Sequence, residues 1–248
     1  MSEQAPSENR LDERLIERCE EIPRTPPAGT YVVVDTLHFS NTVIELFANG
    51  ADHIHITERR GQEFAYREQH PDARIGGGST EQYEPTPGYD FFNSPTYVQN
   101  VDVAGRPVSM TSSNGGRAIA MLRERLDDGS VYVGSTMNAA ALGRHLRDET
   151  GPIHLVSSGS KGDFAVEDHI GAALISRYLD GVPVADAELT LFRDQLKTAK
   201  GEAYIQGNDL RRRDVFDYAM AINSRTILPK LDGDALVDVR SAPTVAAD

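Results

Sequence analysis

The chain has 248 residues and a mass of 27.2 kDa, enough for one domain or two small ones with a continuous core. Apolar residues make up 39% and charged residues 25% of the sequence, which is typical of a soluble globular protein rather than a disordered or fibrous chain. The formal net charge of −13 disfavours general nucleic-acid binding and binding to acidic membranes, because phosphate contacts need a surplus of Lys and Arg.

The sequence predicts neither a membrane segment nor a secretory signal. No apolar run approaches the roughly 20 residues that cross a bilayer, and the start MSEQAPSENR is polar where a signal peptide would be apolar. We therefore expect a cytoplasmic protein. The single cysteine, Cys19, forms no internal disulfide and excludes a paired-thiol zinc or redox motif.

The charged residues are unevenly distributed between types. Arginine accounts for 21 of the 25 basic residues, and 21 Asp outnumber 17 Glu. This balance favours a salt-loving, for example haloarchaeal, source, in which concentrated cations screen the repulsion between surface carboxylates. An ordinary acidic cytoplasmic enzyme is the alternative.

Residues 1–29 form a segment of their own in the sequence. Leu11, Leu15, Cys19 and Ile22 recur at helical spacing between charged neighbours and precede the stop signal PRTPPAG. The spacing predicts an N-terminal amphipathic extension whose apolar stripe covers the body of the protein or a partner subunit. Its polar face carries mixed charge, which argues against a membrane surface.

From Tyr31 onward, an apolar run, a polar loop and a helical segment follow one another at least four times. The apolar runs are YVVVD (31–35), HIHIT (53–57), PVSMT (107–111), SVYVGST (130–136) and PIHLVSS (152–158). Strands that alternate with helices pair in parallel through crossover helices. We therefore predict an α/β fold in residues 30–230, a layered sheet of repeated strand-loop-helix units with helices on both faces.

Three regions depart from this alternation. The stretch from Gly76 to Pro95 is dense in Gly, Pro and turn formers and predicts a long loop, either a functional lid or a mobile excursion. After Gly181 the sequence predicts mainly helix, with breaks at Gly201 and Gly207. Residues 231–248 are predicted to form a flexible tail.

Small polar residues follow the predicted strands, at the sheet edge where open α/β folds bind ligands. They include Ser40, Asn41 and Thr42; Ser112, Ser113, Asn114, Gly115 and Gly116; Ser135, Thr136 and Asn138; and Gly159, Ser160, Lys161 and Gly162. Backbone N–H groups at helix starts favour anions, and Arg117 and Lys161 add cations. Each loop alone could simply cap its helix. Four loops converging on one edge predict a small phosphorylated or carboxylated ligand.

Three carboxylates, Asp35, Glu167 and Asp168, belong to the same predicted edge. Mg²⁺ takes carboxylate oxygens and shares its other positions with water and substrate phosphate, so they predict a metal site. A carboxylate that ends a buried strand needs a cationic partner, which favours Asp35. The first turn of a helix favours Glu167 and Asp168 even without a ligand. His53 and His55 lack accompanying metal-ligand spacing and are interpreted as structural.

Taken in order, five motifs resemble the 2-phosphosulfolactate phosphatase family of coenzyme M biosynthesis over about residues 30–230. They are VVVDTLHFSNT, PGYDFFNSP, MTSSNGGRA, NAAAL and SSGSKGDFAVEDHIGAA, and the most specific parts are Asn93-Ser94-Pro95, Asn114-Gly115 and Glu167-Asp168. The resemblance implies a Mg²⁺-dependent phosphatase that hydrolyses a small acidic phosphomonoester, such as 2-phosphosulfolactate, and releases inorganic phosphate.

The resemblance implies that Asp35, Glu167 and Asp168 are the catalytic residues and metal ligands: Asp35 would be a metal ligand or the nucleophile, and Glu167 and Asp168 would bind the metal or orient water. Together with the polar loops, it leads us to expect substrate binding by His38, Ser40, Asn93, Ser94, Ser112, Ser113, Asn114, Gly115, Gly116, Arg117, Asn138, Gly159 and Lys161. The expected partner is the small anionic phosphorylated substrate, and self-association into a homo-oligomer stays open.

The sequence also departs from the family pattern. His38 stands where Arg is usual, Ser40 and Asn41 replace Thr, GGGST replaces a Gly-Glu-Arg segment, and Ser157 replaces Cys. Loss of a bidentate guanidinium changes what an anion site binds, so we expect a changed substrate. The alternative is a catalytically inactive relative that binds a phosphorylated metabolite as a sensor or assembly subunit. An NAD(P)-dependent enzyme is disfavoured because the glycine fingerprint is absent.

Overall fold

The computed structural model describes residues 11–240, and one ten-stranded sheet organises them. The strands are β1 (Leu15–Ile16), β2 (Gly29–Val34), β3 (His53–Ile56), β4 (Arg74–Gly77), β5 (Phe91–Phe92), β6 (Pro107–Met110), β7 (Gly129–Gly134), β8 (Ile153–Ser157), β9 (Pro229–Asp232) and β10 (Ala235–Asp238). The α-helices are α1 (Leu11–Arg14), α2 (Phe39–Ala48), α3 (Gln62–Gln69), α4 (Pro95–Val98), α5 (Gly115–Arg125), α6 (Ala139–Leu146), α7 (Val166–Leu179), α8 (Asp186–Thr198), α9 (Glu202–Gln206) and α10 (Asp209–Arg213), and a π-helical turn (Asp214–Ala219) follows α10.

The sheet consists of two parallel groups of strands joined by a central hairpin. Strands β1, β8, β2 and β7 form one group, and β3, β6, β4 and β5 form the other. Between them, β9 pairs antiparallel with β7, and β10 pairs antiparallel with both β9 and β3. Three antiparallel pairings therefore separate the two parallel groups.

Helices cover both faces of the sheet, as the alternation of β2 side chains shows. Tyr31 and Val33 pack in one core with buried residues of α2 and α5, whereas Val32 and Val34 pack in a second core with α6 and α7. A strand buried on both faces reads as a continuous apolar run, which explains the YVVV pattern. The predicted α/β layered sheet is confirmed. No helix within residues 11–240 combines the length and apolar character needed to cross a bilayer.

The N-terminal segment covers the body of the protein, but not as one helix. Helix α1 ends at Arg14, residues 15–16 pair with β8, and a 3₁₀ turn follows at Cys19–Glu21. Leu11, Cys19 and Ile22 are buried. The helical spacing wrongly predicted a continuous helix. Residues 15–16 instead form a strand, because their backbone groups pair with those of β8, which would otherwise lie at an open sheet edge. Residues 1–10 lie outside the described part of the chain.

The C-terminal prediction was wrong for residues 231–238. Strands β9 and β10 form a hairpin in the middle of the sheet, and Leu236 is completely buried. Gly233 and Asp234 form the two-residue turn, with a positive φ of 60° at Gly233, so the Gly-Asp pair at 233–234 was an overlooked hairpin signal. Residues 241–248 lie outside the described part of the chain.

The predicted long loop spans residues 78–90, because the flanking residues form β4 and β5, which pair in parallel. Tyr83 within it is buried and donates a hydrogen bond to Asp214 Oδ2 at 2.8 Å, so this loop packs against the C-terminal helices. The mainly helical region after Gly181 is present as predicted, and Gly201 and Gly207 flank α9.

Candidate active site

Asp35 directly follows β2 and joins the loops at the ends of two strands. Its Oδ2 accepts a hydrogen bond from the backbone N–H of Gly115 at 2.8 Å, and Ser112 Oγ lies 3.5 Å from the same oxygen. Ser40 Oγ accepts the Asp35 N–H at 2.9 Å. A Cβ on Gly115 would lie 2.4 Å from Phe39 Cδ1 and 2.9 Å from Asp35 Oδ2, so only glycine fits. The carboxyl ends of β2 and β6 therefore share one site.

Asp168 in the first turn of α7 ties a third loop to this site. Its Oδ1 accepts the Thr36 N–H at 2.8 Å, and its Oδ2 accepts the Gly159 N–H at 3.1 Å. Its neighbour Glu167 forms an ion pair with Lys200. All three predicted carboxylates are buried. The structure thus brings Asp35, Glu167 and Asp168 together.

The carboxylates influence one another strongly. Burial raises the pKa of Asp168 well above its usual range, and the negative charges of Asp35 and Glu167 raise it further. Burial also raises the pKa of Asp35, although the Gly115 N–H and the charge of Lys200 oppose that shift. A cluster of this kind favours the binding of additional positive charge.

Lys200 is the functional candidate that the sequence reading missed. It lies between α8 and α9, next to Gly201, whose φ is +81°. Burial lowers the pKa of Lys200, but the ion pair with Glu167 and the charges of Asp168 and Asp35 outweigh burial and raise it. Lysine occurs only four times in the chain, and Lys200 precedes a predicted helix break. These two features are the only sequence signals that could have indicated a functional lysine, and both are weak.

His38 lies beside this cluster in a network of aromatic and acidic side chains. Its Nε2 hydrogen-bonds with the Tyr204 hydroxyl and lies 3.2 Å from the Tyr83 hydroxyl. Its Nδ1 lies 3.4 Å from Asp214 Oδ2. Burial lowers the pKa of His38 more than Asp214 raises it. Ser94 also donates to Asp214, at 2.8 Å, so His38 and Ser94 meet at Asp214 rather than at Asp35.

A cavity of about 210 Å³ lies next to Ser112, at the carboxyl ends of β3, β4, β5 and β6. It is lined by Glu58, Arg60, Gly77, Asn93, Thr111, Ser112, Ser113 and Arg117. Asn93 Nδ2 donates to the carbonyls of Gly77 at 2.9 Å and Thr111 at 3.0 Å, while its buried Oδ1 has no partner among residues 11–240. Four predicted substrate-binding residues, Asn93, Ser112, Ser113 and Arg117, therefore line one cavity.

Other predicted residues have different surroundings. Asn138 is buried, and its amide bonds to the backbone of Ser135, Val133 and Ile227, which gives it a structural role. Lys161 is exposed in a turn and forms no ion pair with any residue that the structure describes. Asn114 precedes α5 without a side-chain cap, and Gly116 is buried in the first turn of that helix.

A larger cavity of about 620 Å³ lies elsewhere, at the amino end of β8. It is lined by residues such as Arg14, Pro152, His154 and Asp180. None of the loops that follow the carboxyl ends of strands contributes to it. Ligands of α/β sheets bind beyond those carboxyl ends, so we place the candidate site at the smaller cavity.

The carboxylate oxygens of the site are the protein ligands available to Mg²⁺. Within residues 11–240, no group of three His, Cys, Asp or Glu side chains is arranged to hold a metal. Mg²⁺ is usually bound through one or two carboxylates and completed by water and substrate phosphate, so a closed protein cage is not required. Asp35 and Asp168 provide hard oxygen donors whose mutual repulsion the Lys200 charge and the backbone N–H groups offset only in part, which fits a metal shared with a substrate.

Comparison with known proteins identifies the family. A family model described as 2-phosphosulpholactate phosphatase matches residues 16–225. A probable 2-phosphosulfolactate phosphatase of Symbiobacterium thermophilum is 31% identical over 150 residues, which are 60% of this chain and 63% of the relative. One of Deinococcus radiodurans is 32% identical over 166 residues, covering 65% and 66%.

A third relative, the 2-phosphosulfolactate phosphatase of Methanocaldococcus jannaschii, is 27% identical over 174 residues, which are 67% of this chain and 71% of the relative. The matched part of the chain spans just under two thirds of the length of the two bacterial relatives. The family model nevertheless covers most of the sequence and includes every predicted site residue. The chain belongs to the 2-phosphosulfolactate phosphatase family.

Proposed function

We propose that this protein is a Mg²⁺-dependent phosphatase that hydrolyses a small acidic phosphomonoester, such as 2-phosphosulfolactate, and releases inorganic phosphate. The observation that supports this function best is the contact of Asp35 with Gly115 and Ser112. It joins a carboxylate cluster suited to a divalent cation to a cavity lined by hydroxyl and guanidinium groups.

Asp35 and Asp168 are the residues that would hold the metal. Mg²⁺ would neutralise charge on the phosphoryl oxygens, where most of the catalysis of phosphoryl transfer arises. Burial favours the neutral form of Asp35, whereas the Gly115 N–H, the Lys200 charge and a bound cation would each favour the ionised form. The two backbone hydrogen bonds to Asp168 fix the positions of the loops at Thr36 and Gly159.

Lys200 provides a positive charge for the transferred phosphoryl group. It acts electrostatically on His38, the position at which the family pattern usually has an arginine. Lys200 forms an ion pair with Glu167. A phosphoryl dianion competes for this ammonium group, and its binding frees the Glu167 carboxylate to orient water.

One observation favours a second candidate function. The ion pair between Lys200 and Glu167 already neutralises one of the three carboxylates and reduces the charge available to a metal. A catalytically inactive relative that binds a phosphorylated metabolite, as a sensor or assembly subunit, would keep the anion site without turnover.

Phosphate release separates the two functions. We would assay 2-phosphosulfolactate and related phospho-hydroxy acids in concentrated KCl, with Mg²⁺ or chelator, for the unaltered protein and for Asp35→Ala. Asp102→Ala is the matched control, because Asp102 is an exposed carboxylate that precedes β6 and ion-pairs with Arg106. Turnover lost with chelator and with Asp35→Ala, but kept in Asp102→Ala, supports the phosphatase. Saturable binding without turnover supports the inactive relative, and the absence of both contradicts both.

A further inference from the structure

The cavity beside Ser112 contains two guanidinium groups with different surroundings. Arg117 Nη1 donates a hydrogen bond to Glu20 Oε1 at 2.7 Å, so this arginine is already paired. Arg60 forms no ion pair or hydrogen bond with any residue that the structure describes. Glu58, the acidic residue of the lining, is 58% exposed and lies 3.7 Å from Arg59. Arg60 is therefore the cation of the cavity that is available to a ligand.

The position of the Arg60 guanidinium depends on the loop after β4. A Cβ built on Gly78 would lie 2.8 Å from Arg60 Cζ and 2.9 Å from its Nε. The guanidinium therefore rests directly against the backbone at Gly78, and any other residue at that position would displace it. This contact orients a side chain that is otherwise exposed.

Ser112 links this cavity to Asp35, where the phosphoryl group is proposed to lie. Ser112 lines the cavity with Arg60, and its Oγ lies 3.5 Å from Asp35 Oδ2. The volume of about 210 Å³ is below the roughly 300 to 1,000 Å³ of pockets that hold drug-sized ligands. A molecule that spans from Asp35 to Arg60 is therefore a small one, with few atoms besides its charged groups.

We propose that Arg60 determines specificity by binding a second anionic group, a carboxylate or sulfonate, of the molecule whose phosphate lies at Asp35. A guanidinium matches the oxygens of such groups with two parallel N–H donors. The inference rests on the proposed phosphatase function and adds to it the selection of doubly acidic phosphomonoesters over neutral ones.

Three ligands that differ in the added anion test this role. Glycerol 2-phosphate carries phosphate alone, 2-phosphoglycerate adds a carboxylate, and 2-phosphosulfolactate carries a carboxylate and a sulfonate. We would measure kcat/KM for the unaltered protein, Arg60→Met, Arg60→Lys and the control Arg59→Met. Arg59 is the adjacent arginine, 78% exposed, and does not line the cavity.

The expected result is a loss of about 10- to 100-fold in kcat/KM for the doubly acidic ligands in Arg60→Met, from the hydrogen bonds to a charged group. Glycerol 2-phosphate stays within about twofold, Arg60→Lys is intermediate, and Arg59→Met is unchanged. A loss with both acids identifies the carboxylate as the group bound, whereas a loss confined to 2-phosphosulfolactate identifies the sulfonate.

Calorimetric binding of the same ligands in the presence of chelator separates this inference from the proposed function. If the unaltered protein hydrolyses none of them, the phosphatase proposal fails. Arg60 keeps its role in that case only if the acids bind more tightly than glycerol 2-phosphate and Arg60→Met abolishes the difference. Equal losses for all three ligands, no loss, or no preference of the unaltered protein for the acids overturns the role of Arg60.

Discussion

The backbone N–H of Gly115 donates a hydrogen bond to Asp35 Oδ2 at 2.8 Å, and these two residues are 80 positions apart in the sequence. Asp35 belongs to the first parallel group of strands and Gly115 to the helix that follows β6 in the second group. The bond unites a half of the site rich in carboxylates with a half rich in hydroxyl and guanidinium groups. Its geometry leaves no space for a side chain at Gly115.

Gly115→Ala is expected to reduce activity by about 100-fold, because the new methyl group would displace Asp35 and Phe39, and a misplacement of about 1 Å can cost that much. Overpacking would also cost about 1 to 3 kcal/mol of unfolding free energy. Steady-state kinetics and chemical denaturation measure the two effects. Gly116→Ala is the control, since the shortest contact of its Cβ would be 3.2 Å, to Ser112 Cβ, against 2.4 Å at Gly115. Equal effects of the two substitutions would contradict the steric argument.

Lys200→Met is expected to destabilise the protein by about 3 to 5 kcal/mol near neutral pH, because it leaves buried Glu167 without its ion-pair partner. Denaturant unfolding measures the loss. In the double variant Lys200→Met/Glu167→Gln most of the stability should return, because residue 167 no longer carries an unpaired buried charge. Phosphate release should stay low in the double variant, since the phosphoryl-binding charge is missing. Recovery of activity together with stability would show that Lys200 has a structural role only.

Asp35 and Asp168 should stabilise the metal-free protein less as the pH rises. Burial raises the pKa of Asp35 and of Asp168 in the folded state above the unfolded value of about 3.9. These groups therefore favour the folded state fully below the unfolded pKa, and that contribution disappears as the pH rises through the folded pKa.

Thermal unfolding in chelator, followed from acid to neutral pH, measures this decline. Mg²⁺ should raise the unfolding temperature at neutral pH, because it binds the ionised carboxylates of the folded state. Asp35→Asn should flatten the pH dependence and weaken the response to Mg²⁺. An Asp35→Asn profile that is superimposable on that of the unaltered protein would contradict the repulsion between the carboxylates.

The unfolding temperature should increase with KCl concentration. The net charge of −13 causes repulsion that salt screens, with a Debye length that falls from about 10 Å at 0.1 M to about 3 Å at 1 M. Scanning calorimetry from dilute buffer to molar KCl measures the effect. A protein of equal stability in dilute buffer would remove the inference of a salt-loving source.

Local patterns in the sequence determined the elements and the composition of the site. The run YVVV is apolar throughout because helices bury both faces of β2. The first polar residue after it, Asp35, therefore marks the carboxyl end of the strand. The loops SSNGG and GSKGD and the pair Glu167-Asp168 were recognisable for the same reason, since helix starts and strand ends impose residue types over a few positions.

Only the tertiary structure decided which of these residues meet. The Gly-Asp turn at 233–234 predicts a hairpin, but not its insertion between two parallel groups. Lys200 and Arg60 resemble other surface cations in the sequence, yet one contacts buried Glu167 and the other lines the cavity beside Ser112. Asn138, in contrast, had a promising position, but the backbone uses all of its polar groups. Such pairings join residues far apart along the chain, and packing of the whole sheet, rather than local propensity, selects them.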